Sequence, residues 1–241
     1  MVNGPEFESA VDSILTSERH WAIGLHVNVT QFSPVGTGDG LDALIDNKGQ
    51  FRGRSALIRA WLTGRVSEDA IADEIRLQFD ACIEKGVKID HMDSHQHAHA
   101  VPVVNRAMSK VAKEKGVPTR VLKPYIQNPS WKRMLKAKVL NWVTNRANND
   151  KKGGLANNMT LASIFSTELL PSVMAYSELL ACCPSQLIEL MVHPADVDVA
   201  HSALTRISDI SQQDYDVLSS PEWSEFQRNC GYKFVTFSEI G

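Results

Sequence analysis

Nine consecutive residues, His91-Met92-Asp93-Ser94-His95-Gln96-His97-Ala98-His99, hold four of the chain's eight histidines and one carboxylate. Imidazole and carboxylate are the usual protein ligands of a catalytic divalent metal. So dense a cluster makes a metal-dependent enzyme the first expectation. Not every histidine in it can ligate, because residues two apart in an extended segment share a face yet lie roughly 6.6 Å apart. The spacing favours His95 and His97 over the outer pair. His91 comes earliest and reads as structural, and His99, nearest the next helix, reads as a cap or hydrogen-bonding group. Asp93 either ligates or orients an imidazole.

Two further polar clusters sit near the ends of apolar runs: His26 with Asn28, and His193-Pro194 with Asp196 and Asp198. Taken alone, His26 reads as a hydrogen-bonded core histidine. Beside two other clusters at matching strand ends, the functional reading prevails. His193 follows the apolar run Leu187 to Val192 and is held by the next proline. Its side chain titrates near neutrality, which suits a general acid or base.

The elements that must position these groups alternate between strand and helix. Pro5 opens a helix carrying Phe7, Ala10, Val11, Ile14 and Leu15 at helical spacing. Residues 22–30 read as a strand with Leu25, Val27 and Val29 on one side and His26, Asn28 and Thr30 on the other. A short helix is predicted over 54–64. A longer one is predicted over 68–84, capped by Ser67, striped by Ile71, Ile75, Phe79, Cys82 and Ile83, and followed by Gly86. A strand over 88–94 runs into the histidine cluster, and Pro102 starts a helix ending near Gly116. Strands around 119–125, 159–165 and 186–193, helices over 131–146 and 168–182, a polar break from Asn148 to Gly154, a helix capped by Ser220-Pro221-Glu222 and a last strand from Tyr232 to Phe237 complete the pattern. The 131–146 helix carries Trp131, Leu135, Val139 and Val143 on one face. Such alternation implies a parallel sheet, open or closed into a barrel, with the site where strands end. In a barrel, His26 and Asn28 face inward.

Composition narrows the class. The chain has 241 residues, 43% hydrophobic and 22% charged, which suits one soluble globular domain over 1–241. A net charge of −3 gives no bulk attraction to nucleic acid. Lys132, Arg133, Lys136 and Lys138 read as a solvated helix face. No apolar run of about 18 residues is present to span a membrane, and no signal peptide is visible. Cys82, Cys182, Cys183 and Cys230 form neither a C-x-x-C motif nor a disulfide framework, and the Cys182-Cys183 pair reads as buried packing. A cytoplasmic location is the simplest expectation.

The segments Gly24-Leu25-His26-Val27-Asn28-Val29-Thr30, His91 to His99 and Met191-Val192-His193-Pro194 resemble the ChbG/YdjC-like carbohydrate deacetylases, a family that includes chito-oligosaccharide deacetylase. Met1-Val2-Asn3-Gly4-Pro5, Leu218 to Glu222 and Gly231-Tyr232 extend the resemblance over nearly the whole chain. The resemblance implies an α/β fold, an irregular (β/α) barrel of mostly parallel strands. It implies one divalent metal ion, Mg²⁺ by family pattern with Zn²⁺ as the alternative. It implies removal of an acetyl group from an N-acetylglucosamine unit of a small oligosaccharide. By the same resemblance His26 and His95 match metal ligands and His193 matches the catalytic acid, while Asn28, Asp93 and His97 are expected to shape the substrate pocket. The family pattern opens with a strand ending in Asn-Ala-Asp-Asp-Phe-Gly, whose aspartates supply a ligand and the base. No such motif occurs here, so the first strand and its helix are expected to be missing and turnover to be weak or absent. Gln96 stands where the family often has another histidine. A non-catalytic remnant that binds sugar or metal and a different metal-dependent hydrolase are the alternative readings. Exposed strand edges leave homo-oligomerisation open.

Overall fold

The computed structural model describes residues 1–19, 21–120, 123–125, 159–167, 169–196 and 208–240. The predicted helix over 131–146 with its basic residues, the break at Asn148 to Gly154, and Asp198 lie outside the described residues. The chain gathers into two compact units, the first holding Met1–Arg120 and Val235–Gly241, the second holding most of what lies between.

The first unit is built on a parallel strand pair, β1 (Ile23–Val27) and β2 (Ile89–Ser94). Parallel neighbours need a crossover connection, and here it contains α2 (Arg54–Leu62) and α3 (Glu68–Glu84). Helix α1 (Phe7–Thr16) precedes β1, and α4 (Pro102–Lys115) follows β2. The local signals account for the boundaries. The Ser67 side chain accepts from the Ala70 N–H at the start of α3, Pro102 opens α4, and Gly116 closes it in a left-handed conformation. Leu25, Val27, Ile75, Met92, Val104 and Met108 are buried in one core. Each such side chain contributes roughly 1.5–3 kcal/mol by leaving water. Ile83 departs from the expected stripe. It is exposed, while Ala72, Glu74 and Gln78 are buried, because the buried face of α3 swings toward the polar loop after β1.

The second unit contains another parallel pair, β3 (Met159–Ser163) and β4 (Leu187–Met191), with α5 (Val173–Cys182) between them. Helices α6 (Ser208–Leu218) and α7 (Pro221–Asn229) follow. The Ser172 and Ser220 side chains accept from the Ala175 and Trp223 N–H groups and set the starts of α5 and α7. Tyr176 and Trp223 meet edge to face in this core, with ring centroids 5.7 Å apart.

Several expectations are corrected. Of the strand expected around 119–125, residues 121–122 lie outside the described residues, and Thr119 and Pro124 form isolated bridges with Met92 and Leu161. Helix α5 starts at Val173, with the Ser172 side chain as its cap, later than expected. Residues 232–236 form no strand: Tyr232 and Phe234 are exposed, and a capping box between Thr236 and Glu239 turns the backbone into a short 3₁₀ turn. Despite its apolar sequence, β4 is only half-buried. Cys182 is exposed, while Cys183 is half-buried and packs against the core of the second unit. Helix α6 was not anticipated. No helix among the described residues is long and apolar enough to cross a membrane.

Candidate functional site

Strand register brings the first group of residues together. The β1–β2 pairing sets Gly24 opposite His91 and His26 opposite Asp93. Residues paired across neighbouring strands project to the same face. On the other edge of β2, the Met92 N–H donates to the Pro118 carbonyl and the Arg120 N–H to the Met92 carbonyl. Asp93 therefore sits between His26 and Arg120. Its Oδ1 lies 2.6 Å from His26 Nδ1 and its Oδ2 2.5 Å from Arg120 Nη1.

Burial pushes the Asp93 carboxyl up, but the hydrogen bond and charge of His26 with the charge of Arg120 outweigh it and hold the group at about 2. An ionised carboxylate only accepts hydrogen bonds. His26 therefore donates through Nδ1, and Nε2 is the nitrogen left to face a metal when the ring is neutral. A carboxylate behind an imidazole in this way is the usual outer support of a metal-binding histidine.

His95 follows β2 directly. Its ring lies 5.6 Å from that of His26, at 72°, and its Nε2 is 2.9 Å from Gln31 Oε1. Gln31 is held in turn by Asn28, whose Oδ1 accepts from the Gln31 N–H at 3.1 Å and whose Nδ2 donates to the Gln31 carbonyl at 2.8 Å. Asn28 is fully buried. Its backbone N–H donates to Gln78 Oε1 and its carbonyl accepts from Gln78 Nε2. The structure thus makes Asn28 the builder of the loop that carries Gln31.

The chain then turns sharply. Gln96 and His97 have φ of 52° and 53°, and Phe32, beside Gln31, has φ of 60°. Left-handed conformations at non-glycine residues cost roughly 1–2 kcal/mol each, and such strain gathers at functional sites. Arg54 Nη1 donates to the Gln96 carbonyl at 3.3 Å and supports the turn. This kink defeats the simple spacing argument: His97 does not share an extended face with His95 but lies near His99, with ring centroids 6.1 Å apart.

The outer histidines have structural partners. His91 stacks on Phe237 at 4.1 Å and contacts Asp90. His99 is buried, and its Nδ1 lies 2.5 Å from Ser94 Oγ. Burial, with the nearby charge of His97, pushes its imidazole down to about 3.

Together, His26 and His95 offer two neighbouring imidazoles, one already braced by a carboxylate, and this fits part of a divalent metal's shell. Among the described residues no three His, Cys, Asp or Glu side chains are gathered for a metal.

His193 belongs to the second unit. It is half-buried just past β4, its N–H donates to Asp214 Oδ2 at 2.8 Å, and its ring meets Phe165 edge to face at 5.3 Å. Asp196 is exposed. Sequence reasoning missed Arg120, Gln31 and Asp214. An arginine inside a predicted strand beside Val121 and Leu122 was a usable signal for the first; the other two carry no motif.

A family model described as YdjC-like protein matches residues 1–229. A carbohydrate deacetylase of Brevibacillus brevis is 30% identical over 245 residues, covering 100% of this chain and 86% of the relative. A carbohydrate deacetylase of Danio rerio is 30% identical over 118 residues, covering 48% of this chain and 37% of the relative. The crystal structure of a proposed cellobiose-phosphate cleavage protein from Enterococcus faecalis V583 superposes with a TM-score of 0.73 at 18% identity, covering 100% of this chain and 86% of that one. At that identity the likeness speaks to the fold.

Proposed function

Because the chain belongs to the YdjC-like protein family, we propose that it is a carbohydrate N-deacetylase releasing acetate from small oligosaccharides that contain N-acetylglucosamine. Its relatives from Brevibacillus brevis and Danio rerio carry the name carbohydrate deacetylase. The observation that carries the reading is the His26 imidazole, braced through Nδ1 by Asp93 and set beside His95. The irregular (β/α) barrel belongs to the same proposal, supported by two parallel strand pairs and by the fold likeness.

Under this reading His26 and His95 hold one divalent ion. Imidazole nitrogens suit Zn²⁺ or Co²⁺ better than Mg²⁺, which prefers oxygen ligands. A bound ion would supply Lewis acidity toward the acetamide carbonyl and its attacking water. Asp93 keeps the His26 ring in one tautomer and one orientation. His193 donates a proton to the departing amine nitrogen, since an amine leaves poorly as an anion. Both oxygens of Asp93 are engaged by His26 and Arg120, so Asp93 is not the base that deprotonates water, and turnover is slow.

A second reading, a fold that binds sugar or metal without turnover, is favoured by the absence of a third gathered ligand among the described residues. One assay separates the two. With N,N′-diacetylchitobiose and Zn²⁺, Co²⁺ or Mg²⁺, the first reading expects slow acetate release that a chelator stops and that falls at least about tenfold in His26→Ala and His95→Ala. No acetate above the protein-free control with any of these ions overturns it. Equal turnover in the two variants removes the metal assignment.

A further inference from the structure

The loop that carries His193 has few ways to be held. Pro194 has no N–H, so residues 193–195 offer two backbone donors, and both go to α6. The His193 N–H donates to Asp214 Oδ2 at 2.8 Å, and the Ala195 N–H donates to the Ser211 carbonyl at 3.1 Å. Ser211 and Asp214 are three apart, on one face of that helix. The other oxygen of Asp214 accepts from the Tyr176 hydroxyl, which reaches across from α5. Asp214 and Tyr176 are both fully buried. Burial, and then the Asp214 carboxylate, push the Tyr176 phenol well above its usual range, so it stays a hydrogen-bond donor.

Burying a carboxylate is costly unless its oxygens are satisfied. Here the carboxylate is locked on one side by a buried phenol and applied on the other to the backbone of the one histidine that ends β4. His193 can then swing only about its own side-chain bonds, and Phe165 stands against the ring at 5.3 Å.

We propose that Asp214, locked by Tyr176, is a positioning residue that fixes where His193 presents its imidazole, and that α6 is the element that aims the acid. The proposal rests on the reading of His193 as the proton donor in deacetylation.

The test uses the full chain with ring-labelled histidine, the His193 resonance being assigned by its loss in His193→Gln. Asp214→Ala is expected to move the His193 ring resonance and to lower kcat for acetate release roughly tenfold or more, with KM within about twofold, because small misplacements of a reacting group cost rate rather than binding. Asp214→Asn keeps an oxygen that accepts from the His193 N–H and is expected to recover most of that loss. Tyr176→Phe frees Asp214 and is expected to move the same resonance by a smaller amount; it carries the test if Asp214→Ala does not fold. An unmoved His193 resonance in the folded variants overturns the proposal. So does a loss of kcat that is equal in the Asn and Ala variants and follows their melting temperatures. If the wild type releases no acetate, the deacetylase reading fails on its own, and the resonance comparison alone decides whether Asp214 positions His193.

Discussion

Both oxygens of Asp93 are engaged by side chains, which suits it to bracing an imidazole. One oxygen accepts from His26, and the other meets Arg120. Outer partners of this kind typically contribute 10–100-fold in metal affinity. Asp93→Asn presents an NH₂ to one of two donors and loses that contact. It is expected to weaken Zn²⁺ binding by about 10–100-fold in calorimetric titration while the far-UV spectrum is retained; unchanged affinity would show that the His26–Asp93 contact does not support a metal site. His26 and His95 stand out in the sequence by type and motif, and the structure sets their rings side by side. Arg120 and Gln31 do not stand out, because each becomes important only through the strand register and loop that bring it in. The placement of His97 was not legible for a related reason: the left-handed turn at Gln96 and His97 cannot be read from an alternating pattern.

At the scale of elements, Gly24 shows how tightly the site's foundation is fitted. A Cβ at that position would lie 2.3 Å from His91 Nε2, so glycine lets the His91 ring lie against β1 beside the register that sets His26 opposite Asp93. Helices α3 and α4 were readable because cap, apolar stripe and terminal glycine agree. The polar half of α3 was not. Glu74 accepts from the Val35 and Gly36 N–H groups while Gln78 grips the backbone of Asn28, so two residues that look like solvent-facing side chains are what shapes the loop bearing Gln31. The false strand at 232–236 has the converse cause. Its apolar residues suggested a ladder, but Tyr232 and Phe234 stay exposed, and the contacts of this tail come from Phe237 on His91 and the Ser238 N–H on Asp90. Helix α6 was missed because Ser208 to Leu218 is rich in polar residues, and its value lies in Ser211 and Asp214 reaching the His193 loop.

At the scale of the whole molecule, the buried imidazole of His99 links folding to pH. Its folded-state value lies at about 3 against an ordinary 6.5. Between those values the unfolded chain binds a proton that the folded chain refuses. The stabilisation is therefore complete above pH 6.5 and is lost as pH falls toward 3. Asp93, lowered to about 2 from 3.8, adds a loss of the same sign at still lower pH. Urea unfolding midpoints are expected to fall steadily from about pH 7 to about pH 4 and to fall less steeply in His99→Gln; equal slopes would mean that His99 is not held neutral in the fold.

The claim on which the functional account turns is that the ends of β1 and β2 form a metal-binding edge. Co²⁺ reports on it directly, because nitrogen coordination in a low-coordinate site shifts and strengthens the weak visible absorption that the ion shows in water. Titrated with Co²⁺, the wild-type chain is expected to develop that stronger absorption and to saturate at one ion per chain, with the signal lost in His26→Ala and in His95→Ala; saturation that is unchanged in both variants would contradict the assignment of the metal to these two imidazoles.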